Sequence, residues 1–377
     1  MIKKLIFALL LVNSALQLQA QQKTIQISNA LGVQRSEEIV SISWSDILKA
    51  SPDVDTANFK VINVVSKAEL LYQLEYKGTS HVQNLLVQVS VPAKGTLSLK
   101  LVKGKHQVFR AKTFARYVPE RKDDFAWEND RIAFRTYGRE LEKFPNEMSY
   151  GVDVWTKRTD SLILNKWYKS GTYHIDKGEG MDHYHVGYTL GAGNVAPYIN
   201  DTIWFPRNYT KWKVLDNGPL RSSFQLSYDE WLASGRKVNV VKTVSLDAGS
   251  QVSRTEAEYS WNDAKPLPLV IGIIKRPENG LISLDEKGGI MTYWEPVESK
   301  NGTTGVGCIF TTPVKQMMVK QGHLLTETIL NKPSSIVYYN GAAWDRAGKI
   351  TSAEAWMNYL NQKAETLKNP LAVSFVQ

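Results

Sequence analysis

One segment of the sequence, residues 116–138 (RYVPERKDDFAWENDRIAFRTYG), concentrates side chains that could bind an acidic sugar. A β-strand over 131–137 would place both of its arginines and its tyrosine on one face. Because a guanidinium binds a carboxylate through two parallel hydrogen bonds, this face could hold a uronate. In the alternative interpretation the arginines pair with Glu128, Asp130 or Glu140 in a buried, structural ion network. The candidate residues of this segment are Trp127, Glu128, Asn129, Arg131, Arg135 and Tyr137.

A second segment, residues 174–194 (HIDKGEGMDHYHVGYTLGAGN), holds half of the six histidines. His183 and His185 are two apart, so on a strand both imidazoles share one face, with Tyr184 and Tyr188 at the opposite parity. Histidine titrates near neutral pH and can take or give a proton at a sugar carbon, with a tyrosine as partner in the reverse step. Two alternatives stay open: a divalent cation bound at the histidine pair, and a hydrogen-bonded structural pair.

The two segments together give the predicted site, in which the histidines face the same cleft as the arginines. The predicted catalytic residues are His183, His185, Tyr137 and Glu128. The predicted substrate-binding residues are Arg131, Arg135, Asn129, Tyr184, Tyr188 and Trp127. We expect no cofactor, with a divalent cation at His183 and His185 as the open alternative. Most of the eleven tryptophans should pack in the core, and a few could stack on sugar rings.

The elements that must position these residues are mainly strands. Alternation with period two dominates the chain and predicts an all-β, antiparallel fold. The predicted strands are 38–43, 59–65, 84–91, 96–102, 221–230, 238–246, 252–261, 269–274 and 334–339. A C-terminal helix over 352–368 is predicted because Thr351 and Glu354 form a capping-box pattern. A short helix at 45–50 is a weaker prediction.

A change in organisation near 105–112 predicts two domains. Charge density rises there and nearly every tryptophan lies downstream. We expect a small N-terminal β domain over 21–108 and a large β domain over 109–377 that carries the C-terminal helix.

The first twenty residues read as a secretory signal peptide, with Lys3 and Lys4 before an apolar run and a small residue, Ala20, at the cleavage point. Cleavage between Ala20 and Gln21 would release a periplasmic or secreted protein. The apolar run is much shorter than the roughly 20 residues that a membrane span needs, and no later segment is long and apolar enough.

Composition narrows the class of partner. The formal charge is +9, or +7 without the two lysines of the signal peptide, which suits an anionic ligand. Acidic oligo- or polysaccharide is the expected partner, because the sequence has no basic arm, zinc motif or recognition-helix pattern for nucleic acid. A disulfide framework is excluded by the single cysteine, Cys308. The sequence makes no prediction of oligomeric state.

Four stretches resemble one family of exported bacterial proteins of unknown function, typical of Bacteroidota and found with enzymes that degrade pectin and other uronate polysaccharides. They are the 116–138 segment, NGPLRSSFQLSYDEW at 217–231, YYNGAAWD at 338–345 and AEAWMNYL at 353–360. Asn-Gly-Pro-x-Arg before an alternating strand also resembles the galactose-mutarotase-like β-supersandwich. This fold is shared by aldose epimerases, polysaccharide lyases and glycosidase accessory domains, so it does not decide function.

The resemblance implies two schemes of acid-base chemistry. Aldose epimerases use histidines and a late glutamate, which His183, His185 and Glu295 match by order in the chain. Lyases of this fold use a tyrosine or histidine as base and an arginine or asparagine to neutralise a uronate carboxylate. We therefore expect a lyase- or epimerase-like enzyme of pectin-like polysaccharide breakdown, with hydrolysis as a further option. The alternative is a non-catalytic carbohydrate-binding protein.

Overall fold

The computed structural model describes residues 23–298 and 300–376, so the predicted signal peptide lies outside the described residues. The helices are α1 (Trp44–Ala50), α2 (Leu164–Ser170) and α3 (Ala353–Lys368). Single 3-10 turns cover Pro119–Arg121, Arg139–Lys143, Pro145–Glu147 and Asp345–Ala347. The described residues contain no helix long and apolar enough to cross a membrane.

The strands are β1 (Thr24–Ser28), β2 (Arg35–Ser43), β3 (Phe59–Asn63), β4 (Tyr72–Glu75), β5 (Asn84–Val91), β6 (Thr96–Lys103), β7 (Thr113–Val118), β8 (Asp124–Asn129), β9 (Ile132–Thr136), β10 (Asp153–Lys157), β11 (Gly180–Met181), β12 (Ala192–Ile199), β13 (Thr202–Ile203), β14 (Lys211–Asp216), β15 (Arg221–Ser227), β16 (Trp231–Ala233), β17 (Arg236–Asp247), β18 (Val252–Trp261), β19 (Leu267–Ile274), β20 (Leu281–Asp285), β21 (Ile290–Trp294), β22 (Thr304–Phe310), β23 (Gln316–Lys320), β24 (His323–Leu330), β25 (Ser334–Trp344) and β26 (Ala372–Val376).

The N-terminal part has its own hydrophobic core. A four-stranded sheet, in the order β26-β1-β6-β3, and a three-stranded sheet, β2-β5-β4, enclose Ile27, Phe59, Val61 and Leu85 together with α1. The strand β26 comes from the far end of the sequence and pairs with β1. The predicted domain boundaries assign 372–376 to the large domain, whereas the structure pairs these residues with the N-terminal sheet.

The large part is a sandwich. A nine-stranded sheet, in the order β14-β15-β17-β18-β25-β22-β21-β20 with β16 beside β17, forms one layer. Two five-stranded sheets, β11-β10-β9-β8-β7 and β13-β12-β19-β24-β23, form the other. Alternate side chains of all three sheets meet in one core, which includes Phe134, Phe224, Tyr259, Ile271 and Val306.

The helix α3 covers the outer face of the nine-stranded sheet. Trp356 and Leu360 pack over Gly305 and Gly307 of β22. A Cβ atom on Gly307 would lie 2.4 Å from the Leu360 side chain, so a larger residue there would require Leu360 to move. The helix begins after Ser352, whose hydroxyl accepts a hydrogen bond from the Ala355 amide, and not after Thr351 as the sequence pattern predicts.

The predicted fold class is confirmed: the chain is 49% strand and 12% helix, with antiparallel sheets and a C-terminal helix. Each predicted strand corresponds to an observed one, with bounds that differ by a few residues. The short helix at 45–50 is confirmed as α1. The sequence analysis missed α2, which covers the outer face of the β7–β11 sheet.

Candidate functional site

The 116–138 segment folds into β7, β8 and β9. The predicted alternation is confirmed for 132–135 and is wrong for Tyr137, which shares the main core with Ile132 and Phe134. Ile132 and Phe134 point into the main core, whereas Ala133 belongs to a smaller cluster on the outer face, under α2. Arg135 is buried on that outer face. Tyr137 follows β9, is buried in the main core, and has its ring 5.3 Å from the Arg135 guanidinium carbon.

Glu128 is part of a fully buried ion pair. Its carboxylate lies 2.8 Å from Lys157 Nζ, and both side chains are 0% exposed. The same carboxylate accepts hydrogen bonds from the amides of Ile163 and Leu164 at 2.8 and 2.9 Å, at the start of α2. These contacts occupy the carboxylate, so Glu128 holds the helix against the sheet and does not face a cleft.

Asn129 and Trp127 also connect elements of the fold. The Asn129 amide donates to the carbonyls of Asp247 and Ser250 at 2.6 and 2.7 Å. Its side-chain oxygen accepts from the Arg131 amide at 2.8 Å. The Trp127 indole donates to the Ser253 hydroxyl inside the core. Both residues are buried and join β8 to the nine-stranded sheet.

Arg135 is surrounded by three carboxylates, and we call this group the Arg135 network. Nη2 lies 2.6 Å from Asp153 and 3.0 Å from Asp182, and Nη1 lies 3.6 Å from Asp124. Burial raises the pKa of Asp124 to about 6. Burial also raises the pKa values of Asp153 and Asp182, against the attraction of Arg135. Because its donors face carboxylates of the same chain, Arg135 occupies a buried ion network of the kind left open by the sequence. Its partners are Asp124, Asp153 and Asp182, and not the predicted Glu128, Asp130 or Glu140.

Arg131 lies apart from this network, at the other end of β9. Its guanidinium pairs with Asp160 at 3.1 Å. It lines a cleft of about 690 Å³ between the N-terminal sheets, the outer face of the nine-stranded sheet and α3. We call this space the Arg131 cleft. The structure therefore separates the two arginines that the sequence analysis placed at one site.

The histidine segment is irregular between 182 and 191, and not a strand. Tyr184 is buried, whereas His185 is exposed, and only the carbonyl of His185 takes part in the site. Tyr188 is 56% exposed and donates to the Pro145 carbonyl. Gly187 lies between the two tyrosines in the sequence and has a φ of +57°. This left-handed conformation interrupts the extended backbone that would have placed Tyr184 and Tyr188 on one face.

His183 has a nearly buried ring, with a side chain 6% exposed. Nδ1 lies 3.3 Å from the Glu298 carboxylate, and Nε2 lies 3.4 Å from the Thr304 hydroxyl. The ring centroid of Trp344 is 5.9 Å away. Burial lowers the pKa of His183, and the Glu298 carboxylate opposes this effect. The imidazole is therefore mostly neutral at neutral pH.

Glu295 and Arg276 lie beside this histidine. The Arg276 Nε donates to Glu295 at 2.7 Å, and its Nη1 donates to the His185 carbonyl at 2.7 Å. The Glu295 amide donates to the carbonyl of Thr304, the residue whose hydroxyl contacts His183. Burial raises the pKa of Glu295 to about 7, although Arg276 opposes the shift. This carboxyl is thus poised to hold or release a proton near neutral pH.

Tyr184 completes the group. Its hydroxyl is buried and has no hydrogen-bond partner among the described residues. The Arg276 guanidinium carbon lies 4.7 Å from the centre of its ring. Unpaired buried polar atoms are rare, so this hydroxyl keeps a hydrogen-bonding capacity that no described residue uses. We name the group the His183–Glu295 site; its members are His183, Tyr184, Arg276, Glu295, Glu298 and Thr304.

The two sequence segments do meet, through Asp182. This residue binds Arg135 and directly precedes His183. Burial is the main cause of the lowered pKa of His183 and of the raised pKa of Tyr184, and the Asp153 charge acts on both groups as a smaller effect, against the lowering at His183. The Arg135 network therefore adjoins the His183–Glu295 site. The sequence analysis noted Glu295 by its order in the chain and missed Arg276, which has no motif around it.

No group of three or more metal-ligating side chains occurs in residues 23–298 and 300–376. His183 contacts Glu298, whereas His185 contributes its backbone carbonyl to Arg276. The two imidazoles therefore do not share a set of carboxylate partners of the kind expected around a divalent cation.

Comparison with known proteins assigns the family. Residues 27–373 match the family described as "Domain of unknown function (DUF4861)". The chain belongs to the DUF4861 family. The chain is also 31% identical over 391 residues to a protein of Formosa agariphila named "Uncharacterized protein P7", and the match covers 98% of this chain and 97% of that protein.

Solved structures share the fold of this DUF4861 chain. An α-mannosidase from Enterococcus faecalis V583 matches with a TM-score of 0.50 and 11% identity, over 94% of this chain and 46% of the mannosidase. An Enterococcus faecalis protein in Glycosyl Hydrolase Family 38 matches with a TM-score of 0.51 and 12% identity. This match covers 94% of this chain and 47% of the Enterococcus protein. The DUF4861 chain spans about half the length of each. At these identities the similarity shows the fold alone.

Proposed function

We propose that this protein is a carbohydrate-active enzyme that moves protons on an acidic saccharide through His183 and Glu295. The observation that carries the proposal is the meeting of a neutral imidazole, a carboxyl with a pKa of about 7 and an unpartnered phenol in one site. Sites of catalysis commonly hold titrating groups with shifted pKa values. The fold shared with a mannosidase and a glycoside hydrolase family member supports a saccharide as the ligand class.

The two groups would have opposite tasks. Neutral His183 takes a proton from the sugar carbon beside a uronate carboxylate. Glu295, protonated in part near pH 7, gives a proton either to the leaving oxygen or to the opposite face of the carbon. In the first case the carbon–oxygen bond breaks and an unsaturated uronate forms; in the second the carbon is epimerised. Tyr184 donates a hydrogen bond to the substrate.

Arg276 links the protonation of Glu295 to an acidic substrate. While Glu295 is ionised, it neutralises Arg276 across 2.7 Å. Once Glu295 is protonated, the guanidinium can bind the uronate carboxylate and stabilise the negative charge that develops when the neighbouring carbon loses its proton. The proposed specificity for acidic, pectin-like saccharides rests on this residue, and not on Arg135.

The experiment follows two signals during incubation with oligogalacturonides. Ultraviolet absorbance reports the unsaturated uronate of elimination, and proton NMR reports an epimerised product. We expect one of these signals from the wild type and a loss of about 100-fold or more in Glu295→Gln. Glu256→Gln, a half-exposed carboxylate on β18, is the matched control and should keep full activity. Equal turnover in Glu295→Gln, or neither signal from the wild type, would refute the proposal.

Two further expectations accompany the proposal. The protein is exported to the periplasm or secreted, so N-terminal sequencing of the exported form should read from Gln21. No cofactor is needed, so dialysis against EDTA should leave turnover unchanged. A form that still begins at Met1, or an activity that EDTA removes and a divalent cation restores, contradicts the respective expectation.

The Arg131 cleft supports the alternative function, a carbohydrate-binding protein without catalysis. Its volume lies within the range of small-molecule sites. Lys363 and Tyr339 line it, and within the described parts of the chain neither the Lys363 ammonium nor the Tyr339 hydroxyl has a hydrogen-bond or ion-pair partner. In this alternative Lys363→Ala weakens oligogalacturonide binding, whereas Glu295→Gln leaves it unchanged and no product forms.

A further inference from the structure

Trp212 differs from the other tryptophans of the chain. All eleven lie within the described residues, and Trp212 alone among them is exposed, at 45% of its surface. It lies on β14, the edge strand of the nine-stranded sheet. An exposed indole on a folded protein has an unsatisfied apolar face, and such faces are common at ligand sites.

A pocket of about 320 Å³ surrounds Trp212, and we call it the Trp212 pocket. It lies where two edge strands meet, β14 of the nine-stranded sheet and β7 of the facing five-stranded sheet. Tyr117 of β7 stacks on Trp212, with ring centroids 4.9 Å apart and planes 19° apart. The tyrosine supports one face of the indole, and the exposed surface of the indole is left to contact a ligand.

Polar groups surround the ring. Arg139 pairs with Asp229 at 2.6 Å, and both side chains are more than one-third exposed. Thr210 donates to the second oxygen of Asp229 at 2.8 Å. The Arg139 Nε is buried and has no hydrogen-bond partner in the described parts of the chain. Donors and acceptors beside a flat aromatic face match the hydroxyl groups and apolar faces of a sugar ring.

The charges of the Trp212 pocket balance. Two cationic and two anionic side chains line it, namely Arg139, Lys211, Asp123 and Asp229. No excess positive charge favours a uronate there. The volume is near the lower end of small-molecule sites, which suits one sugar ring.

We propose that the Trp212 pocket is a second saccharide-binding site, which takes one neutral sugar ring stacked on the indole. The proposal rests on the proposed saccharide substrate and adds a subsite that shares no residue with the His183–Glu295 site. It would hold a neutral part of a mixed polysaccharide while the acidic part is processed elsewhere.

Iodide quenching tests the pocket, because iodide reaches exposed indoles and not buried ones. The probes are galactotriose and mannotriose, with trigalacturonate as the acidic counterpart. We expect at least one neutral trisaccharide to protect the fluorescence from iodide, and to do so at lower concentration than trigalacturonate. No protection by either neutral probe, or stronger protection by trigalacturonate, overturns the proposal.

Two variants separate binding from folding. Trp212→Ala should weaken binding of the protective trisaccharide, measured by calorimetry, about tenfold. Asp229→Ala keeps the Tyr117–Trp212 stack. It should weaken binding of the same trisaccharide about threefold to tenfold, because hydrogen bonds to the sugar are lost. Lys213→Ala, an exposed neighbour on β14, is the control and should bind as the wild type does. Unchanged affinity in both Trp212→Ala and Asp229→Ala overturns the proposal.

The catalytic proposal can fail independently of this one. Glu295→Gln should lose turnover and keep protection from iodide by the neutral probe. Trp212→Ala should lose calorimetric binding of the neutral trisaccharide, whereas Lys213→Ala should keep both that binding and turnover of trigalacturonate. If the wild type shows no turnover but Trp212→Ala loses calorimetric binding, the catalytic proposal fails and the second site stands.

Discussion

The Arg135 network and the His183–Glu295 site adjoin each other and use the same residue types, yet their charges are satisfied to different degrees. Arg135 has three carboxylate neighbours. In the other site one arginine and one carboxylate pair, while a phenol has no partner among the described residues and an imidazole has only long contacts. The Arg135 guanidinium is surrounded by carboxylates and joins strands, although Asp124 Oδ1 has no hydrogen-bond partner among the described residues. In the other site the phenol and the imidazole keep a hydrogen-bonding capacity that the proposed mechanism uses.

The largest expected effect is on the Arg135 network. Arg135→Ala leaves three buried carboxylates without their cation, and we expect a loss of about 3–5 kcal/mol in the free energy of unfolding. Urea denaturation followed by circular dichroism measures it. A loss below about 1 kcal/mol would mean that the network is not structural, and the comparison would break down.

The next effect is on turnover. His183→Gln should lower kcat about 100-fold, equal to about 2.7 kcal/mol of barrier, because the proposed base is removed. The ring makes only long hydrogen bonds of 3.3 and 3.4 Å, so the free energy of unfolding should change by less than about 1 kcal/mol. A variant that unfolds easily but, while folded, turns over normally would place His183 with the structural residues.

How much of this contrast the sequence could predict depends on the range of the interactions. The alternation over 132–135 and the helix α3 follow from local periodicity, and both are confirmed. The predicted face of Tyr137, which follows β9, is wrong. The helix α2 has seven residues and no capping side chain at its start. The amides at its start donate to Glu128, which lies 35 and 36 positions earlier in the sequence. No local sequence pattern therefore predicts α2.

The candidate site shows the same limit. The types and spacing of the residues identified His183, and the resemblance to aldose epimerases pointed to Glu295. The structure places both beside Thr304. The partners of Arg135 come from β8, β10 and the segment after β11, and a single sequence without pairing information does not order these strands. Arg276 follows β19 with no distinctive neighbours, so only the fold connects it to Glu295.

The third prediction uses pH. The pKa of Glu295 is raised from 4.5 to about 7 in the folded protein. Its neutral form therefore contributes stability that is fully present below about pH 4.5 and is lost as the pH rises through 7. The difference in unfolding free energy between wild type and Glu295→Gln should fall over this range. Subtracting one unfolding free energy from the other removes the contribution of Asp124, whose pKa is also raised and which both proteins contain. A difference that does not change with pH would contradict the raised pKa of Glu295.

The smallest expected effect serves as the reference. Arg116 pairs with Glu120 at the surface, with side chains 25% and 49% exposed. Arg116→Ala should change the free energy of unfolding by about 0–1 kcal/mol, because water screens the pair. Measured beside Arg135→Ala, it isolates burial as the cause of the difference. Equal losses in the two variants would refute that explanation.

The pairing of β1 with β26 has a consequence for how the chain reaches its native state. Ser28 lies opposite Ala372, so one side of β1 has no backbone partner until nearly the whole chain has been made. During synthesis this edge exposes free amides and carbonyls that can pair with another chain. Closing such a distant contact is slow. A chaperone that shields the edge of β1 would therefore raise the yield of folded protein, and removal of residues 372–376 would leave the edge permanently open to association.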